Sequence, residues 1–262
     1  MKHALTIAGS DSCGGAGIQA DLKTFSALGT YGMSVITAIT AQNTMGVHNF
    51  REMDTDIVRD QIDCLFEDIR VDAVKIGMVS SIELIDTIAA RLVEHGAKNI
   101  VVDPVMIAKS GSHLLRPEAS ENLVKVFFPL AEVVTPNLFE AEAIIGEKIG
   151  TLGEMEAAAR KIHQLGARNV VVKGGPLTGE AIDVFYDGTT ITHIKGTRID
   201  TKNTHGTGCT FSSAITAFIA REYDVLAAVE MAKQYINGAI DNSIELGHGV
   251  GPTNHFYAFF GR

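Results

Sequence analysis

Basic residues are in short supply: 22 Lys and Arg stand against 31 Asp and Glu, a formal net charge of −9. A phosphodiester backbone needs clustered Lys and Arg, so no nucleic-acid footprint is expected and a small molecule is the better ligand class. An anionic ligand would then depend on locally placed donors, because the field of the whole chain repels it. Cysteine is scarce as well. Cys13, Cys64 and Cys209 are odd in number and widely spaced, which fits neither a disulfide framework nor a C-x-x-C metal pair, and a reducing compartment suits them. No window approaches the roughly 18 apolar residues of a membrane span. The first apolar run, within residues 1–9, has the length of a strand and not of a signal-peptide h-region, so the expected location is the cytoplasm. Low-complexity linkers and sequence repeats are missing too. With 46% hydrophobic residues the chain can fill one large core, and a single domain over 1–262 is expected.

What is present is a regular alternation. Short apolar or β-branched runs at 4–8, 34–41, 73–76, 100–103, 133–135 and 170–173 read as buried parallel strands. Stretches of helical period at 56–66, 81–94, 118–127 and 154–165 lie between them, which implies βαβ crossovers and an α/β sheet covered on both faces. Residues 181–186 and 190–194 flank Asp187-Gly188, a dipeptide suited to a tight turn, and predict an antiparallel edge hairpin. Helices are predicted over 209–221 and 225–246.

In such sheets ligands gather beyond the carboxyl ends of the strands, and the chemically interesting residues fall there. Residues 203–211, Asn-Thr-His-Gly-Thr-Gly-Cys-Thr-Phe, lead into a helix. Glycines at a helix start leave amides uncovered, and with the helix dipole these make an anion site. The same glycines also suit a turn that only packs closely. Cys209 falls in the first turn, where the dipole is expected to depress its thiol pKa toward neutrality and let it accept a hydroxyl proton; a small buried hydrophobe is the alternative. Asp103 ends a strand before Pro104, and Asn137 and Glu140 share one face of a helix start. These oxygens could hold Mg²⁺ directly or through water, while Asn137 and Glu140 equally spell a capping box. Lys173 ends the sixth strand within reach of phosphate oxygens. Lys233 lies inside the last helix, where a surface position is expected.

Several chemistries lack their signature. A G-x-G-x-x-A match at Gly15, Gly17 and Ala20 suggests a dinucleotide turn, and hence a nicotinamide-dependent oxidoreductase, but the second strand ends in Gln42 and Asn43, not in the acid a ribose requires. No G-x-x-x-x-G-K-[ST] and no H-E-x-x-H occurs.

Residues 8–23, Ala-Gly-Ser-Asp-Ser-Cys-Gly-Gly-Ala-Gly-Ile-Gln-Ala-Asp-Leu-Lys, resemble the opening of the hydroxymethylpyrimidine/phosphomethylpyrimidine kinase family. Residues 40–44 (TAQNT), 103–106 (DPVM), 109–111 (KSG), 135–137 (TPN), 172–175 (VKGG) and 204–209 (THGTGC) are similar to that family in order and spacing, over nearly the whole chain. The resemblance implies a ribokinase-like three-layer α/β/α sandwich, with a mostly parallel sheet and an antiparallel edge hairpin. It also implies a homodimer that uses MgATP to phosphorylate 4-amino-5-hydroxymethyl-2-methylpyrimidine and then its monophosphate in thiamine biosynthesis. Carried over by motif, Gln42 would bond the pyrimidine, with Gly9, Asp21 and Met78 shaping its pocket. Asp103 and Glu140 would organise magnesium, and Lys173, Thr207 and Lys233 would line the nucleotide side. Gly206, Gly208 and Cys209 would form the anion hole, with Cys209 as base, and Lys109 would make room for the first phosphate. A pyridoxal kinase is the neighbouring alternative; the Gln42 amide, a donor and acceptor together, favours an aminopyrimidine edge. A non-catalytic nucleotide sensor would share the binding residues without forming product.

Overall fold

The computed structural model describes residues 1–106, 115, 117–174 and 181–260. In chain order its elements are β1 (His3–Asp11), α1 (Gly17–Ala27), β2 (Tyr31–Asn43), β3 (Gly46–Glu52), α2 (Thr55–Asp68), β4 (Ala73–Ile76), α3 (Ile82–Glu94), β5 (Ile100–Val102), α4 (Pro117–Phe127), β6 (Val133–Val134), α5 (Leu138–Ile145), α6 (Leu152–His163), β7 (Asn169–Val172), β8 (Ala181–Tyr186), β9 (Ile191–Gly196), α7 (Thr207–Ala220) and α8 (Val225–Asp241). The strands form one sheet in the order β3-β2-β1-β4-β5-β6-β7-β8-β9. From β2 to β7 the neighbours run parallel.

Side chains alternate across a strand, so successive valines serve opposite layers. Val102, Val134, Val170 and Val172 pack with Ile62, Leu84, Leu123 and Ile162 of α2, α3, α4 and α6. Val101, Val133 and Val171 turn to the other face and meet Phe211, Phe218 and Ile236 of α7 and α8. A sheet buried on both faces reads as continuous apolar runs, which is why the six parallel strands were predictable from composition.

Two features depart from expectation. The sheet has antiparallel strands at both edges: the predicted β8–β9 hairpin at one, and β3 paired with β2 at the other. Residues 46–51 of β3 are exposed, so neither face carries the alternation that marks a strand, and the region reads as a loop. The last helix ends at Asp241, not at 246. Beyond it the tail folds back: Ile244 N–H bonds Pro252 O at 3.0 Å, and Asn254 N–H bonds Ala239 O at 3.0 Å. Tertiary partners there replace the next helical turn.

Candidate active site

The first turn of α7 is built by close packing. Its N-cap, Gly206, has φ 77°, and a Cβ there would lie 1.7 Å from Gly15 O, so only glycine lets the 14–16 loop and the start of α7 touch. The first helical bond runs from Thr210 N–H to Gly206 O (2.9 Å), which leaves the amides of Gly208 and Cys209 without helical acceptors. Thr207 Oγ1 donates to Thr204 O at 2.5 Å. A Cβ built on Gly208 would stand 3.5 Å from both Asp103 Oδ2 and Lys173 Nζ. The glycine-rich helix start, the end of β5 and the end of β7 therefore converge at one place.

Asp103 is buried and accepts from Lys173 Nζ (3.0 Å), Thr135 Oγ1 (3.1 Å) and Ser212 Oγ (3.4 Å). Burial raises its pKa, but Lys173, Lys75 and the hydrogen bonds outweigh that and hold the carboxyl below its ordinary value. Glu140 is likewise buried and forms a capping box with Asn137: its Oε2 accepts Asn137 N–H at 2.8 Å while Asn137 Oδ1 accepts Glu140 N–H at 2.9 Å. Its carboxyl is pushed up to about 7 by burial, with the Asp103 charge adding to the rise and Lys173 opposing it. Two buried carboxylates thus share a single lysine, an all-oxygen set that a hard divalent cation would relieve of mutual repulsion.

Beneath α7 lies a buried ionic knot. Lys75 on β4 is fully enclosed and donates to Asp21 Oδ2 of α1 at 2.9 Å; Thr6 Oγ1 and Ser213 Oγ each donate to the same carboxylate at 2.6 Å. Burial works against the lysine's charge, but Asp21, Cys209 and Asp103 hold its pKa above the usual lysine range. Cys209 sits over this knot. Contrary to the expected depression, its thiol is pushed up to about 11: burial dominates, Asp21 and Asp103 add to it, and the pulls of Lys75 and of the Gly17 amide are smaller. The helix start does not overcome that desolvation.

The ends of the first two strands and the loop after β1 lie against the same helix start. Gly9 sits at a register shift between β1 and β2, and a Cβ on it would lie 2.6 Å from Met78 Cε. Gln42, half-buried near the end of β2, has its Nε2 3.4 Å from His205 Nε2, which places it beside the residue that leads into α7. Its backbone is fastened to Ser12 in both directions, at 2.8 and 2.7 Å.

Several residues differ from expectation. Asp21 is fully buried and saturated by protein partners, so it braces the pocket from below instead of lining it. Lys233 is buried, not on the surface; its Nζ bonds Asp183 Oδ2 at 2.6 Å, and Asp183 Oδ1 accepts Gly174 N–H at 3.0 Å, so the lysine fixes Gly174, just beyond β7, through Asp183. Lys109 lies outside the described residues.

A model of the phosphomethylpyrimidine kinase family matches residues 11–254. The chain belongs to that family. Among phosphomethylpyrimidine kinases and their relatives, the hydroxymethylpyrimidine/phosphomethylpyrimidine kinase of Rhizobium meliloti is 53% identical over 261 residues, 98% of each chain. The thiamine biosynthesis bifunctional protein ThiED of Geobacter sulfurreducens is 51% identical over 97% of this chain, which spans 52% of that protein's length. The solved ADP complex of Bacillus subtilis pyridoxal kinase superposes with a TM-score of 0.90 at 45% identity, covering 97% of both chains.

For a phosphomethylpyrimidine kinase the residues that sequence reasoning passed over are Lys75 and the pair Asp11–His205. Lys75 did carry a signal, as a lone cation between Val74 and Ile76 in a strand otherwise wholly apolar. Asp11 and His205 gave none, because the carboxylate and imidazole that meet at 2.8 Å are 194 residues apart in sequence.

Proposed function

We propose that this phosphomethylpyrimidine kinase phosphorylates 4-amino-5-hydroxymethyl-2-methylpyrimidine with ATP, and then phosphorylates the monophosphate, as a step of thiamine biosynthesis. The observation that carries the reading is the position of Gly208, 3.5 Å by its notional Cβ from Asp103 Oδ2 and Lys173 Nζ, in the same short segment as His205, which touches Gln42. An alcohol held at Gln42 would have its hydroxymethyl beside an anion cradle.

Phosphoryl transfer asks for in-line positioning and charge neutralisation more than covalent work by the protein. In this reading the Gly208 and Cys209 amides stabilise the equatorial oxygens, with Gly206 setting their aim. Lys173 meets phosphate oxygens by exchanging Asp103 for them, while Thr207 and the Lys233–Asp183 brace shape the nucleotide side. Asp103 and Glu140 would hold Mg²⁺, and the ion would supply charge neutralisation at the phosphates. Gln42 pairs with the pyrimidine edge over a floor of Gly9 and Met78, and Asp21 keeps that floor in place. Cys209 takes the hydroxyl proton. Only the thiolate can accept that proton, and a thiol pushed up to about 11 is in that form as a minor fraction near neutrality, so turnover in this reading rises with pH toward 11. The ADP complex of the pyridoxal kinase relative supports a nucleotide donor.

The chain acts in this reading as one kinase domain in the cytoplasm, supported by one continuous sheet and three free cysteines. No described helix is long and apolar enough to cross a membrane. It acts as a homodimer, for β3 is an exposed edge with Val47 and Phe50 more than half uncovered, the kind of edge that pairing protects. The structural likeness to a pyridoxal kinase favours that activity as the second reading.

Incubating the protein with the alcohol and excess MgATP, then resolving products, is expected to give monophosphate first and diphosphate after it. Phosphorylation of pyridoxal far faster than of the hydroxymethylpyrimidine would transfer the assignment to the second reading.

A further inference from the structure

Cys13 takes no part in the transfer described above, yet its surroundings are chemically distinctive. Asp11, Cys13 and His205 each offer one ligand atom within 4.8 Å of the other two, and among the described residues no other three His, Cys, Asp or Glu side chains meet so closely. We propose that Asp11, Cys13 and His205 form a site for a borderline-soft divalent cation of the Zn²⁺ class at the rim of the substrate cleft, and that its occupancy blocks the alcohol.

The donor set decides the class of ion. One carboxylate oxygen, one imidazole nitrogen and one sulfur suit Zn²⁺ and are wrong for Mg²⁺, which takes oxygen. Three protein ligands leave a fourth tetrahedral position open. The carboxylate is already fixed by backbone: Asp11 Oδ1 accepts Cys13 N–H at 2.8 Å, and Oδ2 accepts Gly15 N–H at 3.1 Å and Ala16 N–H at 2.8 Å. Such bonds orient a ligating carboxylate as outer-shell partners do in metal proteins. His205 is held from both sides of its backbone, by Gly251 O at 3.0 Å and Thr253 N–H at 3.4 Å. Its ring lies so close to Gly15 that a Cβ there would come within 2.4 Å of Cδ2. Ser12 is exposed and Cys13 half-buried, which leaves an entry path from solvent.

Coordination changes little. Asp11 Oδ2 and His205 Nε2 stand 2.8 Å apart around a shared proton. An ion bonded to both at about 2 Å opens that pair by roughly half an ångström while the thiol swings inward. The shared proton and the thiol proton pass to solvent as the ion enters. His205 Nε2 also lies 3.4 Å from Gln42 Nε2, so an ion bound there displaces the group that reads the substrate. This last coupling rests on the role given to Gln42 under Proposed function; the metal site itself does not.

Titration of the metal-free chain with Co²⁺ is expected to give a thiolate-to-cobalt ultraviolet band and the visible bands of a four-coordinate ion. Cys13→Ser is expected to remove the thiolate band and weaken Zn²⁺ binding by more than about 100-fold, beyond the loss of an outer-shell partner, while Cys64→Ser keeps both. No thiolate band in the parent chain, or a band that survives Cys13→Ser, overturns the site. With Mg²⁺ in excess, micromolar Zn²⁺ is expected to raise KM for the alcohol in the parent and not in Cys13→Ser, whose rate without Zn²⁺ is unchanged. A cobalt site with no effect on KM overturns the coupling to substrate. A cobalt site in a chain that does not phosphorylate the alcohol overturns the proposed function and leaves the metal site standing.

Discussion

At Gly208, sterics and chemistry separate cleanly. A methyl there meets Asp103 Oδ2 and Lys173 Nζ at 3.5 Å, an ordinary contact, and alanine is the better helix former by about 1 kcal/mol. Gly208→Ala should therefore melt at or above the parent temperature, yet crowd the space assigned to the phosphoryl oxygens and lower kcat by roughly 100-fold, the scale of losing one oxyanion donor. An unchanged kcat would remove the anion cradle from the mechanism. Cys209 gives a different pattern. Cys209→Ala should leave nucleotide affinity by calorimetry nearly intact and slow turnover by ~100-fold or more; equal turnover would end its role as proton acceptor. The position of its thiol pKa was not legible in the sequence. The dipole of α7 is readable from residues 206–210, but the burial that overrides it, and the Asp21 and Asp103 charges that add to it, arise only when folding brings together residues far apart in the chain.

Among the elements, α7 is held on two sides, at Ser213 and at Thr210. Lys75 of β4, Asp21 of α1 and Ser213 of α7 join three elements through one buried carboxylate. Removing one partner of such a pair leaves an uncompensated charge, so Lys75→Ala is expected to lose about 3–5 kcal/mol in urea unfolding with little change in slope. On the outer side, Thr210 Oγ1 meets His255 Nε2 at 3.0 Å, and Tyr235 OH donates to His255 O at 2.7 Å. Burial, with Lys23 adding to it, lowers the His255 pKa from 6.5 to about 4. The folded state thus resists protonation more than the unfolded chain does. The resulting stability is fully present above about pH 6.5 and is lost as pH falls toward 4. Thermal melts across that window should show the parent losing stability more steeply than His255→Asn.

Across the whole molecule, the exposed edge at β3 is the feature most in need of a partner. If two copies pair there, Phe50→Glu should turn a dimer into a monomer by sedimentation, with the melting curve of each chain little changed in its cooperativity. A parent chain that sediments as a monomer at micromolar concentration would remove the homodimer from the proposal.

By itself the sequence determined the layered fold and the places where chemistry could gather, because a strand buried on both faces must be apolar throughout and ends abruptly where Asp103, Asn137 and Lys173 begin. It could not decide what depends on pairs distant along the chain. Lys75 finds Asp21 across 54 residues and His205 finds Asp11 across 194, and only folding brings those charges together. The β3 edge stayed hidden for the complementary reason: a strand with no buried face carries no periodicity, and only its pairing with β2 makes it a strand.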